Sequence, residues 1–134
     1  MTVPRLLGVL TLALVTCACG ASQARQDGAT RAGLAFEASL ASGDYLAACA
    51  LLAPEGRQQL QEDEKQPCER ALPSQEPPAG GGVRGVDAYG RQALLRLRDE
   101  VLFLSQFDGG RRVTAAGCVP DPGDAPYRCV LKGA

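Results

Sequence analysis

The sequence predicts an α+β domain with N-terminal helices packed on an antiparallel β-sheet. Three observations predict it. Between residues 30 and 72 apolar residues recur at helical spacing, with capping residues at the breaks. Between residues 83 and 131 short apolar and β-branched runs alternate with two-residue turn signals. Pro73 to Gly82 (PSQEPPAGGG) separates the two regions and has almost nothing to bury. With 134 residues there is room for one small domain.

The chain opens with an export segment. One positive charge, Arg5, precedes a ten-residue apolar run from Leu6 to Val15, and Thr16 to Gly20 are small or polar. That is the order of a secretory signal peptide, and the run is shorter than the ~20 residues a spanning helix needs. Ala18-Cys19-Gly20 resembles a bacterial lipobox, which makes Cys19 the expected lipidation site. Cys17, preceded by Thr16, is the alternative. Residues 1–18 are then a lipoprotein-type signal peptide, and residues 19–29 the lipidated cysteine and a flexible tether. Residues 30–134 form the domain. The expected location is the extracytoplasmic face of a bacterial cell membrane, or secretion if the lipobox is not used. A diacylated cysteine carries two chains, enough for stable anchoring.

Thr30 to Ser42 reads as an amphipathic helix, with Leu34, Ala38 and Ala41 on one stripe and Phe36 and Leu40 beside it. Gly43 stops it, and Asp44 caps a second helix over residues 45–52. Pro54 suits the first turn of a third, through about Glu64. Pro67 opens a further turn carrying Cys68 and Leu72.

Five strands follow over residues 83–89, 92–97, 100–107, 110–119 and 127–131. Asp108-Gly109 is a type I′ hairpin signal, which pairs residues whose numbers sum to 217 and sets Phe103 opposite Thr114 and Val101 opposite Ala116. A turn at Arg98-Asp99 sets Leu95 opposite Leu102. With these registers, one face collects Ala93, Leu95, Leu97, Leu102, Leu104, Val113, Ala115 and Val130, and is expected under the helices. The other collects Leu94, Arg96, Val101, Phe103, Ser105, Phe107, Arg112, Thr114, Cys118 and Cys129.

Beyond the export segment, Cys49, Cys68, Cys118 and Cys129 remain, an even number in an exported chain. Four cysteines allow three connectivities; the local pairing Cys49–Cys68 and Cys118–Cys129 closes a helical segment and staples two strands. No CxxC occurs among them, and their spacing offers no paired short intervals for zinc.

Function classes narrow by composition. Without histidine there is no Ser-His-Asp or Cys-His catalysis and no His-ligated metal. A net charge of -1 and six aromatics argue against nucleic-acid binding. Glu62-Asp63-Glu64 reads as a solvated helix end, and Gly80-Gly81-Gly82 as a linker without the Lys-Ser/Thr of a phosphate loop. Asp87, Asp99, Glu100 and Asp108 fall at strand ends or turns. No catalytic residue, metal ligand or cofactor is assigned. Tyr89, Arg96, Phe103, Phe107, Arg112 and Tyr127 form a candidate binding face, or else complete a second small core. A deep apolar pocket would point to a small-ligand binder, and two carboxylates converging in a closed cleft to an enzyme.

A set of short motifs resembles a group of uncharacterised actinobacterial lipoproteins with an NTF2-like (cystatin-like) roll. They include Gly43-Asp44-Tyr45, Ala48 to Pro54, Pro67-Cys68, Tyr89-Gly90-Arg91, Val101 to Leu104, Phe107 to Gly110, Val113 to Cys118, and Pro126-Tyr127 through Cys129. The resemblance covers residues 31–134 and implies helices on a curved sheet; it implies no activity. Arg111-Arg112 departs from it, standing where an aromatic often follows the hairpin glycines. The expected role is non-catalytic binding of an envelope protein, a second copy of the chain, or a small ligand.

Overall fold

Residues 18–42 contain eight alanines, no proline and a single β-branched residue, Thr30, a composition that favours a helix despite three glycines. In the computed structural model, which describes residues 18–123 and 125–132, they form one 25-residue helix, α1 (Ala18–Ser42). The flexible tether expected over residues 19–29 is therefore helical. Gln23 donates to Asp27 one turn on (2.9 Å), and Ala29 is fully buried, while Gln23, Ala24, Arg25 and Asp27 are exposed. The apolar run from Leu6 to Val15, with Cys17, lies outside the described residues.

Gly43, at φ +72°, ends α1 with paired backbone bonds, Asp44 N–H to Ser39 O (2.9 Å) and Gly43 N–H to Leu40 O (3.2 Å). The Asp44 side chain then accepts from Ala47 N–H (3.1 Å) and starts α2 (Tyr45–Leu51). Pro54 opens α3 (Pro54–Glu64), closed by Lys65 in the left-handed region at φ 55°. The last helix is α4 (Cys68–Ser74). A disulfide from Cys49 to Cys68 joins α2 to α4.

Five strands form one antiparallel meander in the order β1-β2-β3-β4-β5: β1 (Val83–Tyr89), β2 (Gln92–Leu97), β3 (Val101–Phe107), β4 (Gly110–Pro120) and β5 (Tyr127–Arg128). The molecule is thus α+β, with the helices packed against one face of a curved sheet. Leu95 faces Leu102, as the Arg98-Asp99 turn requires. The second disulfide, Cys118 to Cys129, fixes β4 against the β5 segment in the register Val119↔Arg128.

Two expectations fail on β4. The register is as expected from Phe107↔Gly110 to Leu104↔Val113, then shifts twice, giving Phe103↔Ala115 and Val101↔Cys118. Thr114 is the first extra residue, and Gly117, at φ +64°, marks the second. Each insertion swaps the faces beyond it, so Ala116 and Leu131 are buried where Ala115 and Val130 were expected. The Asp108-Gly109 turn is not type I′ either. The positive φ falls on Gly110, at 120°, and not on the two central residues.

A third difference concerns the rotation of α1. Its inward stripe is Ala29, Gly33, Phe36 and Leu40, while Leu34, Ala38 and Ala41 are exposed. Gly33 explains this. A Cβ there would lie 2.4 Å from Leu95 Cδ2 and 3.3 Å from Leu102 Cδ1, so the helix backbone rests on the sheet where no larger residue fits. Phe36 then enters a core with Leu72, Leu95, Leu102, Leu104 and Val113, all fully or almost fully buried.

Candidate functional site

Strand register places the six residues of the expected binding face with respect to one another. Tyr89 pairs with Gln92, Gln92 with Ser105, and Ser105 with Arg112, making one row across four strands. The next row runs Asp87, Leu94, Phe103, Ala115, and the next Gly85, Arg96, Val101, Cys118. Because β-strand side chains alternate, these rows share the face opposite the helix-covered Leu95, Leu102 and Leu104. Phe107, two residues beyond Ser105 and paired with Gly110, lies on the same face, and Tyr127 joins it with its ring edge-on to Phe103, centroids 5.2 Å apart.

The charges on this face are tethered. Arg96 forms an ion pair with Asp87, whose hydrogen bond and negative charge raise the pKa of the guanidinium. Arg112 curls back onto the hairpin, donating to Gly109 O (3.1 Å) and Arg111 O (3.0 Å). Tyr89 is the outstanding exposed group, at 70 %. Its neighbour in sequence, Gly90, has φ 55° and forms the β1–β2 turn that lifts Tyr89 to the rim.

On the helical side, an open cavity of about 310 Å³ lies between α3 and the β4 bulge, with Leu52, Leu60, Val113 and Leu131 as its floor. Its exposed margin includes Asp63, which accepts from Gln59 (2.8 Å), and Lys132. Nearby on the same side of the sheet, Arg111 is buried and donates to Arg91 O (3.2 Å). Burial, with a smaller contribution from Arg25, lowers its pKa.

The most unusual chemistry lies where the sequence pointed to none. Glu100, expected at a strand end, is only 4 % exposed. It sits between the β2–β3 turn and β4, where Gly117 N–H donates to its Oε2. Glu37, one turn past Gly33 on α1, converges on the same place and accepts Gly80 N–H on Oε2 (2.9 Å). A Cβ on Gly80 would lie 2.9 Å from Glu100 Oε1 and 3.0 Å from Glu37 Oε2, so both carboxyls press against this glycine. The remaining oxygens, Glu37 Oε1 and Glu100 Oε1, are buried and have no donor. Burial first, and then the charge and hydrogen bond of Glu37, push the Glu100 carboxyl from its ordinary 4.5 to about 8.

Neither glutamate carries a local sequence signal. Glu37 lies on a helix flank and Glu100 beside a turn; only the tertiary packing of α1 on the β2–β3 turn joins them. The Gly80 position was the available clue, since a glycine run reads equally as linker or as close approach. Among the described residues no group of three or more Cys, Asp or Glu converges on a metal-sized site, and no helix is long and apolar enough to cross a membrane. No protein-family model, curated protein or solved structure matches the chain.

Proposed function

We propose that this chain is a lipid-anchored lipoprotein with an NTF2-like domain, which acts in the cell envelope by binding another protein rather than by catalysis. One observation carries the reading: Tyr89, Arg96, Phe103, Phe107, Arg112 and Tyr127 share the sheet face that the helices leave uncovered. Tyr and Arg are the side chains most enriched at interface anchors, since they bury large areas at low entropic cost. The two disulfides agree with an oxidising, extracytoplasmic compartment.

A photoreactive phenylalanine in place of Tyr89, in intact cells, tests the face. It should give a discrete adduct that the same group at Glu62, exposed on α3, does not give. An adduct of twice the chain mass identifies the partner as a second copy. Identical patterns from both positions, or none, overturn the proposal. For the anchor, the intact mass should show loss of residues 1–18 and a diacylglyceryl group on Cys19.

Acid–base catalysis is the second reading, favoured by the raised pKa of Glu100. Its difficulty is access. Glu100 is enclosed by Gly80, Gly117 and Glu37, leaving only Glu37 at a surface groove.

A further inference from the structure

We infer that Glu37 and Glu100 form a binding site for a single proton, and that this proton latches the Pro77–Gly82 segment onto α1 and the sheet.

Two carboxyl groups converge on Gly80, each with one unsatisfied oxygen. Each carboxyl has one oxygen satisfied by a backbone N–H, from Gly80 for Glu37 and from Gly117 for Glu100. Each has a second oxygen that is buried without a donor. Two acceptors cannot satisfy each other, and one proton between the carboxyls satisfies both. Without it, two negative charges share a site largely shut off from water, an arrangement that carboxyl pairs resolve by holding a proton.

The surrounding charges leave the proton in that role. From the β2–β3 turn, Asp99 adds a further negative charge acting on Glu100. The guanidinium of Arg98, in the same turn, is committed to Asp99 (3.1 Å) and lies at the surface against Gly81. α1 contributes Glu37, β4 contributes only the Gly117 N–H, and the 77–82 segment has no ionisable side chain.

The segment is held by few bonds. Gly80 N–H donates to Glu37, Asp99 N–H donates to Gly80 O (2.8 Å), and Arg98 N–H donates to Gly82 O (2.9 Å). Glu37 borders a groove of about 400 Å³ that separates Leu34, Ala38 and Ala41 of α1 from Pro77 and Ala79. When the proton leaves, Glu37 has this groove to turn into. Gly80 N–H then loses its acceptor and the segment comes away. This site is on the helical side of the molecule and is independent of the outer sheet face.

Amide hydrogen exchange on the full chain, followed by NMR between pH 5 and 9 and corrected for intrinsic rates, tests the latch. The closed state keeps the proton to about pH 8, whereas an open carboxyl loses it near 4.5. Protection of Gly80 should therefore fall by up to about tenfold per pH unit between those values and level off above them. Leu102, in the core, should stay better protected than Gly80 at every pH. Glu100→Gln supplies a permanent amide hydrogen to Glu37 and should make Gly80 protection independent of pH; Glu37→Gln, from the opposite side, should do the same. Equal protection of Gly80 and Leu102 at every pH overturns the latch, because the pair then affects only global unfolding. A flat profile in the unsubstituted chain overturns it too. So does restoration of Gly80 protection at pH 9 by millimolar calcium, which would make the ligand a metal cation.

Discussion

Two glycines of α1, Gly28 and Gly33, should respond in opposite directions to the same substitution. In a helix interior, alanine is favoured over glycine by about 1 kcal/mol. At Gly28 a new Cβ meets nothing within 4 Å, so Gly28→Ala should stabilise the domain by most of that amount. For a domain of this size that is a rise of about 4 °C in Tm. At Gly33 the Cβ would sit 2.4 Å from Cδ2 of Leu95, a side chain that is fully buried in the core. Overpacking of this kind costs about 1–3 kcal/mol, which exceeds the propensity gain. Gly33→Ala should therefore lower stability by about 1–2 kcal/mol. Adding Leu95→Val shortens the side chain in the way. Alone that change should cost about 1 kcal/mol, and in combination it should recover part of the Gly33→Ala loss. Urea denaturation followed by far-UV circular dichroism measures all four proteins. If both alanines stabilise, or if the double variant is merely additive, α1 does not rest on the sheet at Gly33.

Other predictions follow from single features. Because the folded pKa of Glu100 is raised, its contribution is fully present below about pH 4.5 and is lost as pH rises toward 8. The loss amounts to at most about 5 kcal/mol, limited by the cost of releasing the 77–82 segment, and Glu100→Gln should abolish it in urea titrations at pH 5 and pH 8. Gly80→Ala should destabilise the domain by no more than the cost of releasing the 77–82 segment, since its Cβ would meet Leu97 Cδ1 at 2.3 Å as well as both carboxyls; an unchanged Tm refutes the close approach. Asp44→Ala removes the acceptor for Ala47 N–H and should cost about 1 kcal/mol in the same denaturation assay. Replacing the Cys49–Cys68 or the Cys118–Cys129 bond by serines should cost about 3 kcal/mol each, because the closed loops are of similar, short length.

What was legible in the sequence was what local chemistry decides. Gly43-Asp44 ends one helix and starts the next through bonds made within a few residues. The turn at Arg98-Asp99 sets its own register, and Ala93, Leu95, Leu97, Leu102 and Leu104 are buried as the alternation demands. What was not legible depends on one element meeting another. The bulges at Thr114 and Gly117 bend β4, and a strand with an extra residue reads like a regular one. The orientation of α1 is decided by the sheet pressing on Gly33, so a wider apolar stripe containing Leu34 loses to a narrower one containing glycine. The 19–29 segment is polar enough to read as tether, yet it has no proline to stop a helix propagating back from Ala29. Glu37 and Glu100 lie 63 positions apart, and nothing local to either announces the other.

The two disulfides each stay inside one layer. Cys49–Cys68 joins helix to helix, and Cys118–Cys129 joins strand to strand. They also link cysteines that are consecutive in the folded domain. A chain threaded out N-terminus first presents Cys49 and Cys68 together before Cys118 has appeared, so an oxidant that couples thiols in order of arrival makes the native bonds directly. No intermediate pairing has to be undone, and the helical layer can be sealed while the sheet is still being delivered. No disulfide spans the two layers, which are held together by apolar contact, by the Ala53 N–H to Val113 O bond (2.8 Å) and by the Glu37 seam, so a reductant loosens each layer without parting them.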